Sequence, residues 1–289
     1  MQSAMNGLPP ISPNSVRLNV AGLEVVVAPT DAELGGPVCE LFRLFRDSLD
    51  DLPVGRRIVV GLAGPPGSGK STWATLLAYL STRRMPPTPA AAVSIDGWHW
   101  PNAVLASMSA AAPDGSTVSM RARKGSPGSF DVGGILAALE VLRDAHRPAR
   151  IPVYDRHLHE PVAAGQVVAP GIRLILLEGN YVLSREEPWR AVAEQLDLAL
   201  YLDRDLEECR DAVLARHVAG GLSWTEAAQK FETNDRLNTD IVAATRRFAD
   251  VVLRVGPQHR LTGIEILRRR ARSAFRGGRF PGVGHRDPF

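Results

Sequence analysis

Ile58-Val-Val-Gly-Leu62, then Ala63, then Gly64-Pro65-Pro66-Gly67-Ser68-Gly69-Lys70-Ser71-Thr72: the reading of this stretch decides the fold. The apolar run is short enough for a buried strand, and a helical pattern opens at Lys70. The loop between them fits G-x-x-x-x-G-K-[ST]. Glycines let backbone N–H groups converge on phosphate oxygens without a Cβ in the way, and the helix after the loop points its partial positive end at the same place. Lys70 can bring an ammonium to terminal phosphates, and the Ser71 hydroxyl can hold Mg²⁺. A bare glycine turn before a core helix would look similar. However, the eight-residue pattern arises by chance in roughly one chain of this length in a hundred. The chain holds lysines only at 70, 124 and 230, and one falls at the required position.

Outward from the loop, further apolar runs read as buried strands at Ala92–Ile95, Leu174–Leu177, Leu198–Leu202 and Val251–Val255. Helical patterns separate them at Gly134–His146, Pro188–Gln195, Asp205–Ala219 and Ser223–Phe248, the last two opening with capping-box spacing, Asp205…Glu208 and Ser223…Glu226. Strands alternating with helices predict an α/β three-layer P-loop domain around a parallel sheet of about five strands. On this reading the domain occupies residues 53–257. An extension at 1–52 carries a hairpin, Val16–Val20 and Leu23–Val27 about Ala21-Gly22, and an amphipathic helix at Pro37–Leu49. Residues 258–289 carry an arginine-rich helix, Leu261–Phe275, and a basic, irregular tail.

Composition narrows little. Apolar residues make up 45% and charged ones 22%, enough to fill a core, and a net charge of +3 suits an anionic nucleotide as well as nucleic acid. Cys39 and Cys209 have neither disulfide-framework nor metal-ligand spacing, so a reducing, cytoplasmic setting without structural zinc is expected. No leader-like segment is evident, and the apolar runs are too short for a bilayer, so no membrane role is expected. A homo-oligomer is compatible with the sequence.

The class of phosphate chemistry is read from neighbouring segments. No lysine follows an Asn, as a guanine-reading Asn-Lys-x-Asp would require. The run Leu174-Ile-Leu-Leu-Glu178 ends in one carboxylate rather than an Asp-Glu pair. Glu178 could order Mg²⁺ through water beside Ser71, at the strand end where such sheets bind ligands; an ordinary strand-end charge is the bland reading. Asp96, in Ser94-Ile-Asp96-Gly-Trp-His99, has the type and place of a base for a hydroxyl proton, or of a simple turn residue before Gly97. The pair Arg123-Lys124 is a solvated loop or a grip for an anionic acceptor. Trp98 and Trp100 suit core or lid packing.

Taken in order, Gly64–Thr72, Ile95-Asp-Gly-Trp-His99, Arg123-Lys-Gly-Ser-Pro127 with Phe130-Asp131, Pro152-Val-Tyr-Asp155 with His159, and Leu177-Glu-Gly-Asn-Tyr181 resemble the uridine kinase, pantothenate kinase and phosphoribulokinase superfamily. The resemblance spans about residues 57–256 and is nearest to bacterial members described as nucleoside or fructose-transport-system kinases. It implies ATP and Mg²⁺ as cofactors and a small hydroxyl-bearing substrate: a nucleoside, a pantothenate-like molecule or a sugar. It implies Asp96 as catalytic base, and Asp131, Tyr154 and His159 around the acceptor. It also implies Arg210 and Arg216 on a helical lid, where arginines can neutralise charge on the phosphoryl group in transfer. Two departures weaken the case for uridine itself: the lid lacks an Arg-Asp pair, and Arg156 replaces an aromatic. Two other classes compete. One is an ATPase or nucleotide-switched binding protein. The other is a nucleic-acid-associated protein using Arg268-Arg-Arg-Ala-Arg272 and the Arg-Gly tail, although a solvated helix face and a loose end explain those arginines more simply.

Overall fold

A computed structural model of the chain describes residues 15–50, 52–83, 88–112 and 115–268. Strand β3, Ile58–Ala63, is buried at all six positions. Its side chains alternate between two cores: Val59 and Ala63 enter one, while Ile58, Val60 and Leu62 enter the other. A strand buried on both faces needs a layer on each side, and the rest of the chain supplies them.

From the N-terminus, β1 (Val16–Val20) and β2 (Leu23–Val27) form the expected hairpin, followed by α1 (Asp31–Gly35) and α2 (Pro37–Asp50). The P-loop leads from β3 into α3 (Lys70–Ser81), then β4 (Ala90–Ser94), a 3₁₀ turn at Ile95–Trp98, and α4 (Asn102–Ser107). Two short strands, β5 (Ser109–Ala111) and β6 (Thr117–Ser119), precede α5 (Val132–Leu142). A hairpin of β7 (Ala149–Asp155) and β8 (Glu160–Val168) comes next, then β9 (Leu174–Glu178), α6 (Trp189–Glu194) and β10 (Leu198–Asp203). The segment after β10 holds α7 (Leu206–Ala219), α8 (Trp224–Lys230) and α9 (Arg236–Ala243), and β11 (Val251–Val255) and β12 (Leu261–Ile266) finish the described chain.

The central sheet has the order β12-β11-β10-β3-β9-β4. Five strands run parallel, as expected, and β12 adds a sixth, antiparallel to β11. This corrects the reading of Leu261–Phe275 as a helix: 261–266 form a strand, with Leu261 in the core. Of the basic segment Arg268–Arg272 only Arg268 is described; it donates to the Arg247 carbonyl. The remainder, with the Arg-Gly tail and the N-terminal 14 residues, lies outside the described residues. The helix expected at Ser223–Phe248 is divided by a π turn at Phe231–Asp235 and closes in a 3₁₀ turn. Ser223…Glu226 is a reciprocal capping box, whereas Asp205 caps α7 alone, accepting from the amides of Glu207 and Glu208.

On one face, Trp73 and Leu77 of α3 pack with Leu41 and Phe45 of α2 and with Leu18 and Val20 of β1. On the other lie Ile135 and Leu139 of α5, Trp189 of α6 and Ile151 of β7. Arg57, at the entry to β3, is fully buried. Its guanidinium donates to the carbonyls of Ile172, Leu142, Asp144, Arg147 and Ala169, at 2.5–3.2 Å. One cation thus gathers the end of α5 and the approach to β9, and its position at a helix C-terminus suits the helix dipole. Removing it leaves buried carbonyls without donors, at about 1–3 kcal/mol each where no water enters. Arg57→Met should therefore lower the unfolding free energy by about 3 kcal/mol or more. Urea denaturation checks this; a loss below about 1 kcal/mol would show that water replaces the guanidinium.

Candidate active site

Pairing register builds the site. Glu178, the last residue of β9, lies opposite Leu62 of β3 on one side and Ser94 of β4 on the other. The loop after β3 and the turn after β4 therefore emerge on either side of the Glu178 carboxylate. The first turn of α3 brings Ser71 to it, the hydroxyl donating to Glu178 Oε1 at 2.8 Å. Glu178 is buried, and desolvation, reinforced by Asp96, raises its pKa; Lys70, Ser94 and Ser71 oppose the rise. A hydroxyl and a carboxylate joined at the head of a phosphate loop are hard oxygen donors suited to Mg²⁺.

The loop itself has the shape phosphate binding needs. Gly67 and Gly69 take φ of 83° and 93°, in the left-handed region, and a Cβ at Gly67 would stand 2.1 Å from the Cys209 carbonyl of α7. The Ser68 hydroxyl is buried without a hydrogen-bond partner, an orphan that a phosphate oxygen would satisfy. Lys70 is buried, its Nζ donating to the Pro65 carbonyl at 3.0 Å. Burial pushes its ammonium down to about 8, Arg216 adds to the effect, and Glu178 and Asp96 oppose it.

Asp96 sits in the turn after β4, half-buried. Its amide is capped by the Ser94 hydroxyl, and its carbonyl accepts from Nδ1 of His99 at 2.9 Å. Since a carbonyl only accepts, His99 carries its proton on Nδ1; burial lowers its pKa and keeps the ring neutral. That ring lies 3.9 Å from Phe130, while the Asp131 amide donates to the Trp98 carbonyl. Gly97 permits a further approach, because a Cβ there would fall 2.3 Å from the Pro152 carbonyl of β7. The turn carrying Asp96 is thus clamped by Phe130-Asp131 and by the β7–β8 hairpin. Its carboxylate opens into a cavity of 370 Å³, shared with Ser71, Glu178 and Tyr154. Burial, with Asp96 and Glu160 nearby, raises the Tyr154 phenol to about 12, so it stays a hydrogen-bond donor.

Not every residue singled out from sequence arrives there. Asp131 caps α5, accepting from the Gly134 amide at 2.9 Å. The His159 side chain is exposed at the hairpin tip, and its carbonyl is engaged by Lys124 and Asn102. Lys124 Nζ donates to that carbonyl at 2.8 Å and to Asn102 Oδ1 at 2.7 Å, and Arg123 gives one hydrogen bond to the Thr233 carbonyl, so both cations are turned to the protein and neither lines the cavity. Arg210 is part-exposed beside Asp211 and the Phe231 ring. Arg216, further along α7, keeps an exposed surface although its charge is partly desolvated; desolvation and Arg156 lower its pKa while Asp235 and Asp96 raise it. Sequence reasoning missed Arg204, which donates to the Gly67 carbonyl, and His259, whose ring a Cβ at Gly69 would meet at 2.6 Å. It also missed Asn19–Ala21, the N-terminal hairpin turn, which walls the cavity. No local motif marks any of them.

A model of the phosphoribulokinase/uridine kinase family matches residues 59–262. The chain belongs to that family. It is 30% identical over 250 residues to a pantothenate kinase of Sorangium cellulosum, covering 78% of each chain. A Schizosaccharomyces pombe protein named for a uridine kinase is 28% identical over 213 residues, covering 73% of this chain and 88% of its own. Among solved structures, one named for a fructose transport system kinase of Silicibacter sp. TM1040 superposes with a TM-score of 0.62 at 29% identity, covering 73% of this chain and 98% of that one. The protein is a P-loop kinase of the uridine kinase, pantothenate kinase and phosphoribulokinase type. No helix among the described residues is long and apolar enough to cross a membrane.

The lowered Lys70 pKa makes a prediction with a definite sign. Phosphate beside Nζ favours the charged form, so nucleotide binding near pH 8.5 should take up a proton fraction at Lys70. Titration calorimetry of a non-hydrolysable ATP analogue without metal, in buffers of different ionisation enthalpy, measures that uptake. Lys70→Arg, always charged, should abolish it. Equal uptake in both proteins would place the proton elsewhere.

Proposed function

We propose that the protein transfers the γ-phosphoryl group of ATP, with Mg²⁺, to a hydroxyl of a small metabolite. The observation that carries this reading is that the Ser71–Glu178 pair and Asp96 open into one cavity from adjacent strand ends. A hydrolase needs only water beside its phosphate loop. Here a walled space, a free carboxylate and a Tyr154 hydroxyl stand next to it, which suits a bound acceptor.

In this reading the loop amides, the Ser68 hydroxyl and Lys70 hold the β- and γ-phosphates. Ser71 and Glu178 would hold Mg²⁺, which would neutralise phosphate charge. The acceptor hydroxyl donates its hydrogen bond to Asp96, which points the oxygen at the γ-phosphorus and takes the proton as the new P–O bond forms, while the bond from the γ-phosphorus to the β–γ bridging oxygen breaks and ADP leaves with that electron pair. Arg216, whose charge is felt at Lys70 and Asp96, would neutralise charge on the transferring group, and Arg210 is a weaker candidate for the same task. Positioning and charge stabilisation then supply most of the rate. Asp131 and His99 contribute by fixing the Asp96 turn.

Asp96→Asn keeps the shape of the turn and removes the base. It should lower kcat by about 10²–10⁴-fold, with nucleotide affinity unchanged. ADP release measured across a panel of nucleosides, sugars and hydroxy acids checks this. Acceptor-stimulated turnover at the wild-type rate would remove Asp96 from the role. Turnover that no acceptor stimulates would favour an ATPase.

A further inference from the structure

Arg156 follows β7 directly and lines the same cavity as Asp96. Its Nε is buried without a hydrogen-bond partner, and no described carboxylate lies within 4.0 Å of its guanidinium. Asp96, in the same cavity, forms no ion pair with it, and the two acids nearest in sequence are committed elsewhere. Asp155 accepts from the amides of His157 and Leu158, and Glu160 accepts from the amide of Asn102. The charge that Arg156 meets at Arg216 is of its own sign, since it lowers the pKa of that guanidinium. A part-buried cation without a paired anion is unfavourable unless something supplies one. The basic pair Arg123-Lys124, the other candidate for gripping an anion, is bonded to the protein instead.

We infer that the acceptor is a compact anionic hydroxy compound whose carboxylate or phosphate group is held by Arg156 while its hydroxyl meets Asp96. This rests on the kinase reading and names its substrate class. A guanidinium fits either anion through paired N–H donors. The 370 Å³ cavity is near the lower end of ligand pockets, about 300–1,000 Å³. The hairpin turn at Asn19–Ala21 closes one side, so the acceptor is bounded in length.

The test compares matched anionic and neutral acceptors: glycerate with glycerol, pantothenate with pantothenyl alcohol, ribose 5-phosphate with ribose. ADP release is followed for the wild type, Arg156→Gln and Arg156→Lys. The wild type should prefer an anionic member by about tenfold or more in kcat/KM, the carboxylate and phosphate pairs showing which anion is meant. Arg156→Gln should raise that acceptor's KM by about tenfold or more while the KM for ATP stays within about twofold, and Arg156→Lys should recover part of the loss. An unchanged KM for ATP also shows that the variant is folded. Preference for a neutral acceptor, or an effect on ATP alone, overturns the inference and leaves the kinase reading standing. If the wild type phosphorylates nothing in the panel, the kinase reading fails. Calorimetry of the same anions against wild type and Arg156→Gln then decides the inference alone: binding that depends on Arg156 supports it, and binding that does not, or none at all, overturns it.

Discussion

Parallel pairing forces β3, β9 and β4 to end on the same side of the sheet, and their register aligns Leu62, Glu178 and Ser94 in one row. The segments leaving those strand ends are then forced into proximity: the phosphate loop after Leu62, the Asp96 turn after Ser94, with Glu178 between them. No long-range side-chain contact is needed to assemble these groups. The two apolar cores that fix the register also fix the site. Two faces of packed Val, Ile and Leu hold the strands in place, and a slip of one residue would exchange the faces of a strand buried on both sides.

The same burial sets the electrostatics. Glu178 and Lys70 are both buried, which disfavours either charge alone, yet each stabilises the other across the mouth of the loop. Lys70 is held back on the Pro65 carbonyl, and Ser71 on Glu178, so these polar groups already have internal partners. A triphosphate and its metal would supply stronger ones. Such preorganisation avoids reorienting solvent when charge moves. Arg156 Nε has no internal partner even of this kind.

Legibility in the sequence depends on the range of the interactions. The phosphate loop, the buried strands, Glu178 and Asp96 are readable because their signals are local: glycine spacing, apolar runs and a carboxylate at a strand end. Strand β12 reads as helix because Leu261-Thr-Gly-Ile-Glu-Ile266 is short and runs into a block of arginines. Arg57 escapes notice because a charge at a strand entry reads as surface, and only the fold brings five carbonyls around it. Resemblance assigns Asp131 and His159 to the acceptor, whereas the geometry gives the first to a helix cap and exposes the second. The turn at Asn19–Ala21 reaches the cavity only because β1 docks on α3, a contact between segments about fifty residues apart that no sequence window contains.

In the proposed reaction, phosphate loop, metal pair and base converge on one reacting point. The most direct measurement is a crystal structure of the ternary complex with Mg²⁺, a non-hydrolysable ATP analogue and the best acceptor found. The γ-phosphorus should lie about 3–3.5 Å from the acceptor hydroxyl oxygen, that oxygen hydrogen-bonded to Asp96, with the metal on Ser71 beside Glu178. An acceptor bound away from Asp96, or a γ-phosphate directed away from the cavity, would contradict it.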